Sequence, residues 1–356
     1  MCVGLRDTLA GGKDTLFGDL NVPTLTLVFV ELAKVVSGVV EAAWGYAFAA
    51  VTEGGRVVTW GHAWGGGDSS RVEKKLVSGV VRVVATHGAF AAVTEGGSVV
   101  TWGQAEWGGD SSGVAGEVAS GVVEVVASMR AFAAVTEDGR VVTWGDAEAG
   151  DSSGVARELA SGVVRVVAAD WAFAAVMEGG RVVTWGDAEY GGDSSEVAGE
   201  LANGVVEVVA TMRAFAAVTE GGRVVTWGEA EFGGNPNRVA GEVASGVVEV
   251  VATDSAFAAV TEGGRVVTWG IAGYGGDSSR VAGELASGVV KVVATMGAFA
   301  AVAESGRVVT WGDARYGGDS SAVAGELASG VVEVVATTRA FSAVLEGGRM
   351  VTWGRK

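Results

Sequence analysis

The chain consists of eight copies of one unit, and this repetition constrains its fold more than any other feature. The tetrapeptide Val-Thr-Trp-Gly marks each copy, with an Ala-Phe pair before it, and its tryptophans stand at positions 60, 102, 144, 185, 227, 269, 311 and 353. The spacing is 42 residues except between 144 and 185, where Ala149-Gly150-Asp151 lacks one glycine. Periods of this length are typical of solenoids and propellers.

One unit contains three predicted strands. Residues 205–210 form a β-branched run, and residues 214–218 and 223–227 are two further apolar runs. The tripeptide Glu220-Gly221-Gly222 between the last two predicted strands favours a two-residue hairpin turn with positive φ. Both faces of these strands are largely apolar, so we expect both to be covered.

The connector between units has a different character. Asp193-Ser194-Ser195 is a run of residues that favour a helix N-cap, and Val197 and Leu201 follow with the spacing of one helical face. Gly204 stands where a helix would end, and Gly199 weakens the helix inside it. The pattern predicts one or two helical turns.

Three short strands cannot bury two apolar faces alone, but eight such sheets packed side by side can. The sequence therefore predicts an all-β fold, a β-propeller of eight three-stranded blades with short helical connectors on the outside. A seven-bladed propeller and an open spiral of the same units are the alternatives.

The repeat resembles that of the regulator-of-chromosome-condensation superfamily. Its most specific part is the string Gly-Arg-Val-x-x-Trp-Gly-x-x-x-Tyr-Gly, present at 222–233 with Phe232 in place of tyrosine. The short period and three strands are more similar to the β-lactamase inhibitory propeller of that superfamily. The repeat departs from the family where Thr211 and Ala214 replace a glycine and a histidine, and where Gly-Asp-Ser-Ser replaces Gln-Leu-Gly. Family members generally have seven blades, whereas this chain has eight copies.

Residues 1–36 lie outside the repeats, and residues 37–356 form the predicted propeller. Residues 9–16 and 24–29 resemble the last third of a ubiquitin-like domain. A lone short segment cannot bury a core of its own. We therefore expect an N-terminal arm that packs on the propeller, with a ubiquitin-like remnant as the alternative.

Charge and composition exclude several classes of function. Twenty-five basic and 42 acidic residues give a net charge of −17, which argues against binding to nucleic acid or an anionic membrane. The single cysteine, Cys2, excludes a disulfide framework. Because no apolar run approaches the roughly 18 residues of a membrane span, we expect an intracellular protein, cytoplasmic or nuclear.

Catalytic and metal-binding chemistry finds little support in the sequence. His62 and His87 have no companions for a catalytic triad and are interpreted as surface histidines. The loop 187–193 has oxygen atoms at calcium-like spacing, but the position of Asp187 is occupied by Ile271 in another copy. We therefore expect no enzymatic activity, no cofactor and no metal.

Variation among the copies concentrates at two places that strand direction puts at the same end of each blade. The first is a pair of residues between the first and second strands, and the second is an aromatic residue after the third strand. The pairs supply Tyr46, His87, Met129, Arg130, Asp170, Trp171, Met212, Arg213, Asp254, Met296 and Arg339. The loops supply Trp64, Trp107, Tyr190, Phe232, Tyr274 and Tyr316.

A surface rich in methionine, arginine and aromatic residues has the composition of a protein-binding site. We therefore expect a non-enzymatic scaffold that binds a protein partner of unknown identity through this end. The alternative for the aromatic residues is that they only cover blade edges. The family resemblance implies two further functions, guanine-nucleotide exchange on a small GTPase and an accessory substrate-binding role in ubiquitin transfer.

Overall fold

The computed structural model describes residues 36–41, 47–235 and 239–355. These form eight antiparallel sheets of three strands, one sheet for each repeat, with the strands of each sheet in sequence order. This is the predicted all-β, eight-bladed propeller architecture. Residues 1–35, which include almost the whole expected N-terminal arm, and Tyr46 lie outside the described residues.

The strands are numbered in chain order, three to a blade. The first strands are β1 Val36–Glu41, β4 Val80–Ala85, β7 Val122–Ala127, β10 Val163–Ala168, β13 Val205–Ala210, β16 Val247–Ala252, β19 Val289–Ala294 and β22 Val331–Ala336. The second strands are β2 Ala47–Thr52, β5 Ala89–Thr94, β8 Ala131–Thr136, β11 Ala172–Met177, β14 Ala214–Thr219, β17 Ala256–Thr261, β20 Ala298–Ala303 and β23 Ala340–Leu345. The third strands are β3 Val57–Gly61, β6 Val99–Gly103, β9 Val141–Gly145, β12 Val182–Gly186, β15 Val224–Gly228, β18 Val266–Gly270, β21 Val308–Gly312 and β24 Met350–Gly354.

In the described ranges, helical structure is limited to short segments of three to six residues. After the third strand, 3-10 turns occupy Ala63–Gly65, Ala105–Trp107, Ala188–Tyr190, Ala230–Phe232, Ala272–Tyr274 and Ala314–Tyr316, and the third blade has the α-helical turn α1, Ala147–Gly150. In the connectors, 3-10 turns occupy Ser70–Lys75, Ser112–Val114, Ser153–Val155, Glu158–Ala160, Ser195–Val197, Ser279–Val281 and Ser321–Val323. The predicted helical connectors are therefore present in most blades, as 3-10 segments rather than α-helix.

The chain divides into two compact units. One comprises the described residues up to Glu137 together with Trp144–Asp146, and the other comprises Asp138–Thr143 and the described residues from Ala147 onward. Within the second unit, the alanines of one blade's second strand pack against the next blade. Ala214 and Ala216 of β14, for example, share a cluster with Val250 and Phe257 of the following blade. Small residues on one sheet and large ones on the next allow the two to approach closely.

The core of each blade is an aromatic pair. Phe257 of β17 is fully buried and stacks on Trp269 of β18, with ring centroids 5.3 Å apart. The two residues are directly opposite in the strand register, which is the position where cross-strand pairs interact most strongly. The Ala-Phe and Trp-Gly signatures of the sequence are thus the two halves of one buried contact.

Six of the tryptophans also bind the preceding blade through the indole N–H. Trp227 Nε1 donates to the carbonyl oxygen of Gly191 at 3.0 Å. Gly191 has a φ of 91°, and a Cβ there would lie 2.7 Å from the Phe215 ring. The aromatic-Gly dipeptide in the loop is therefore required by a positive φ and by close packing on the next blade.

Two local predictions were wrong. The turn between the second and third strands is wider than a two-residue hairpin, because Gly222 N donates to Thr219 O and only Gly222 of the two glycines has positive φ, at 68°. This geometry fits a three-residue loop that ends in a left-handed glycine. The first strand is also not covered on both faces. Val205 pairs with Thr219 and Glu207 with Val218, so Val206 is a bulge residue and is 60% exposed.

Candidate functional site

In five of the eight repeats a threonine side chain shapes the loop that carries the variable pair. Thr211 Oγ1 accepts from Ala214 N at 3.0 Å and donates to Ala214 O at 3.2 Å. It also lies 3.2 Å from the carbonyl oxygen of Phe232, within reach as a second acceptor. The hydroxyl thus joins the loop before the second strand to the loop after the third. We call this arrangement the threonine clamp.

The first members of the variable pairs form a column. In the second unit, Asp170 N donates to Met212 O at 2.9 Å, and Met212 N donates to Asp254 O at 2.8 Å. The series continues from Asp254 to Met296 at 2.9 Å and from Met296 to Thr338 at 3.1 Å. Equivalent residues of successive blades are therefore in direct backbone contact. Two half-buried aspartates and two methionines lie along this column.

The second members of the pairs lie among the loop aromatics. The Arg213 guanidinium carbon is 4.7 Å from the centroid of Tyr190 and 5.1 Å from that of Phe232. The same guanidinium donates to the Glu229 carboxylate at 2.8 Å. Arg213 is thus placed between aromatic rings of two successive blades, where cation–π attraction and an ion pair both act on it.

Where the second member of the variable pair is glycine, the loop aromatics contact each other directly. Tyr274 and Tyr316 contact each other, with centroids 6.3 Å apart. A Cβ on Gly297 would lie 2.8 Å from Tyr316 and 3.1 Å from Tyr274. The absence of a side chain therefore lets the two rings meet. We call the alternating second members and loop aromatics of the second unit the aromatic band.

The shortened repeat breaks this pattern. Ala149 stands where other blades have an aromatic residue, and it is fully buried. In the next blade the second variable position holds a tryptophan, Trp171, whose ring lies 6.2 Å from Tyr190. Ala169 replaces the clamp threonine there. Among the described residues, Trp185 Nε1 is a buried donor without a hydrogen-bond partner, because the loop that would supply its carbonyl is one residue short.

The first unit has a related arrangement. The Arg130 guanidinium carbon lies 4.9 Å from the Trp107 centroid, and its nearest nitrogen is 3.7 Å from the Asp146 carboxylate. Trp64 makes an edge contact with Trp107 at 5.3 Å and is 54% exposed. Of the aromatic residues predicted for this face, Trp107 is buried, whereas Trp64 is open to solvent.

Burial raises the pKa values of the two aspartates in the column. Desolvation raises the pKa of Asp170 to about 7, with a further increase from the Asp254 charge and an opposing effect from Arg213. Burial also raises the pKa of Asp254 to about 6. These carboxylates change charge near neutral pH, unlike an ordinary aspartate. Perturbed pKa values of this kind are common at functional sites.

The interpretation of His87 as a surface histidine is wrong. Its side chain is buried beside Trp107, with ring centroids 6.4 Å apart. Desolvation lowers the pKa of His87, and the positive charge of Arg130 lowers it further. His87 is therefore a packed, neutral member of the first unit. His62 is exposed, as expected.

The acidic loop residues serve as caps. Asp193 Oδ1 accepts from Ser195 N at 2.9 Å, and Asp187 Oδ1 accepts from Glu189 N at 2.8 Å. The hydrogen bond from Ser195 lowers the pKa of Asp193. No group of three histidine, cysteine, aspartate or glutamate side chains in the described ranges is placed to hold a metal ion. In the same ranges, no helix has the length and hydropathy of a membrane span.

The structure brings most of the predicted residues together, by unit. In the second unit the column holds Asp170, Met212, Asp254 and Met296, and the band holds Trp171, Tyr190, Arg213, Phe232, Tyr274 and Tyr316. Met129 in the first unit accepts a backbone hydrogen bond from His87 at 2.8 Å. Arg339 of the last blade is exposed. Glu229 and Asp146 were not among the predicted site residues, although each follows its arginine by 16 residues, a repeated spacing that identifies both.

Comparison with known proteins returned matches only among solved structures. No family model matches the chain, and no curated protein matches it. A computationally designed protein is 11% identical, with 90% of this chain and 96% of that chain covered and a TM-score of 0.38. The ectodomain of the receptor kinase CR4 from Physcomitrella patens is 14% identical, with 75% and 70% covered and a TM-score of 0.41. Prp20p from Saccharomyces cerevisiae, described with its binding to Gsp1p and histones, is 15% identical, with 64% and 70% covered and a TM-score of 0.39.

Proposed function

We propose that this protein is a non-enzymatic scaffold that binds a protein partner through the column and the aromatic band of its second unit. The observation that carries the proposal is the placement of the variable residues. Repeats that are otherwise nearly identical differ at these positions, and the positions adjoin one another in successive blades. Arginine, tryptophan and tyrosine contribute most to protein–protein affinity, and methionine is enriched at interfaces.

The charge of the surface supports a partner with basic side chains. Asp170 and Asp254 are half-buried, and the Arg213 positive charge is already paired with Glu229. Desolvated carboxylates gain from an incoming cation, because a nearby positive charge stabilises their ionised form. A lysine or arginine of the partner that lies over the column would provide that charge.

A matched pair of arginine variants tests the proposal. Affinity capture from the native source is compared for the wild type, Arg213→Ala and Arg223→Ala. Arg223 is exposed and, like Arg213, forms an ion pair, with Glu200, but it follows the turn at the other end of its blade. We expect capture of the partner to weaken by about tenfold or more for Arg213→Ala, as for a hot-spot residue, and to remain unchanged for Arg223→Ala. Equal loss in both variants would contradict the assigned surface.

The two alternatives from the family resemblance give different outcomes in the same preparation. A nucleotide-exchange factor would accelerate nucleotide release from a small GTPase, and an accessory module of ubiquitin transfer would co-purify with a ligase. Our proposal predicts no acceleration of release.

A further inference from the structure

A second surface, separate from the column and the band, runs along the first strands. The second residue of each is a valine that lies at the bulge and is 58–62% exposed: Val164, Val206, Val248, Val290 and Val332 in the second unit. An exposed large apolar residue is unremarkable alone, but five at equivalent positions form a patterned surface. We call them the valine strip.

Equivalent positions of neighbouring first strands lie close together. Val290 and Val332 line one recess of about 420 Å³ between the seventh and eighth blades. The residues next to the valines also influence one another. The charge of Glu207 raises the pKa of Glu249, after the larger effect of burial, and the charge of Lys291 lowers it. The valines of successive blades are therefore neighbours along the surface.

Acidic residues border the strip. The walls of the same recess include Glu304 and Glu346, which belong to the turns between the second and third strands. The other blades of the second unit have Glu178, Glu220 and Glu262 at this position, and all five are exposed.

These turn glutamates keep their charge uncompensated. The arginines that follow the turns are paired instead with connector glutamates, as Arg307 is with Glu284 at 2.7 Å. None of the five turn glutamates forms an ion pair with another described residue. An apolar strip with an unneutralised negative border is complementary to a basic, partly apolar ligand.

We propose that the valine strip and its bordering glutamates form a docking surface for a basic polypeptide segment that carries aliphatic side chains between its lysines or arginines. The aliphatic side chains enter recesses such as the one between Val290 and Val332, and the cations face the turn glutamates. A second copy of this chain is a poorer occupant, because its net charge of −17 would oppose approach to an acidic border.

The test uses a fluorescent synthetic peptide of alternating lysine and leucine, titrated with the full chain at low and at physiological ionic strength. Val290→Thr with Val332→Thr preserves side-chain shape and β-branching at exposed positions, so folding is retained. We expect this pair to weaken peptide binding by about threefold to tenfold. Glu304→Gln with Glu346→Gln should weaken it and reduce its dependence on salt.

Matched controls separate docking from general attraction to an acidic protein. Glu196→Gln with Glu231→Gln removes two exposed charges away from the strip, and binding should be unchanged. A peptide of alternating lysine and serine should bind less tightly than the leucine peptide and be insensitive to the valine variants. Equal loss in both glutamate pairs, with no effect of the valine pair, would overturn the proposal.

The valine pair also distinguishes a different occupant. If light scattering shows that the wild type self-associates and Val290→Thr with Val332→Thr does not, the strip contacts a second copy and the proposal is wrong. These outcomes do not depend on Arg213 or the column. Failure here therefore leaves the proposed function of the other surface intact.

Discussion

At the scale of single residues, the second member of each variable pair determines how the loop aromatics pack. Arg213 lies between Tyr190 and Phe232, whereas Gly297 lets Tyr274 and Tyr316 contact each other. The same backbone therefore presents either a cation between two rings or a bare aromatic pair. Substitution at one position per blade can change the surface without changing the fold.

The pKa of Asp170 predicts a stability that depends on pH. Because burial raises the pKa to about 7, the folded state holds this proton more tightly than the unfolded chain. The stabilisation is complete below about pH 4 and is lost as the pH rises through 7. Asp170→Asn should therefore raise the melting temperature relative to wild type at pH 8, and the difference should vanish near pH 4.

Asp193→Asn is the control for this measurement. Asp193 is an exposed cap whose pKa is lowered by the hydrogen bond from Ser195, and asparagine also serves as a cap. This variant should show no gain at pH 8. If the melting temperatures of the wild type and Asp170→Asn depended on pH in the same way, the assignment would be contradicted.

Ala169 offers a gain-of-stability prediction. It is buried where five other repeats have the clamp threonine, as at Thr211. Ala169→Thr should add the missing hydrogen bonds to the loop of Trp171 and raise the free energy of unfolding by about 1 kcal/mol. Thr211→Ala should lower it by a similar amount or more. Denaturant titration measures both, and destabilisation by Ala169→Thr would show that the loop has a different shape.

At the scale of elements, the third repeat is one residue shorter than the others, and this has two structural consequences. The loop after β9 becomes the α-helical turn Ala147–Gly150, and Trp185 Nε1 loses the carbonyl that Gly191 provides to Trp227. A buried donor without a partner costs about 1–3 kcal/mol. The shortened loop therefore lowers the local stability beside Trp171 in the candidate site.

Inserting a glycine between Gly150 and Asp151 should restore the regular loop. The Trp185 indole would then have an acceptor, and the free energy of unfolding should rise by about 1 kcal/mol. Deleting Gly192 from the next blade should have the opposite effect, because it would shorten the loop that accepts from Trp227. An unchanged or lowered stability on insertion, measured by denaturant titration, would show that the shortened loop is already optimal.

The elements that could be predicted from sequence are those with local signals. Runs such as Val205–Ala210 are β-branched, and Gly222 marks the turn before β15, so the strands and their order follow from the pattern. The bulge at Val206 could not be predicted, because Val-Val-x-Val-Val has the same composition whichever valine leaves the register. The contact of Arg213 with Tyr190 joins residues of two different blades. The repeat pattern predicts that Arg213 and Tyr190 lie at the same end of their blades, but it does not predict that they contact each other.

At the scale of the whole molecule, near-identical repeats separate the scaffold from its recognition surfaces. The Phe–Trp pairs recur in all eight blades, and a loop glycine packs on the phenylalanine in six of them. Many of the residues that differ between repeats lie in the column and the band. Such an arrangement lets a binding surface diversify while the core stays constant, which is typical of repeat proteins.

Hydroxyl-radical footprinting with and without the captured partner tests the assigned binding surface most directly. Methionine oxidation reports on both ends of the blades. Met212 and Met296 lie in the column. Met350 is 56% exposed and begins β24, next to the turn at the other end. We predict that the partner protects Met212, Met296 and the ring of Trp171 and leaves Met350 unchanged. Protection of Met350 with no change at Met212 and Met296 would contradict the account.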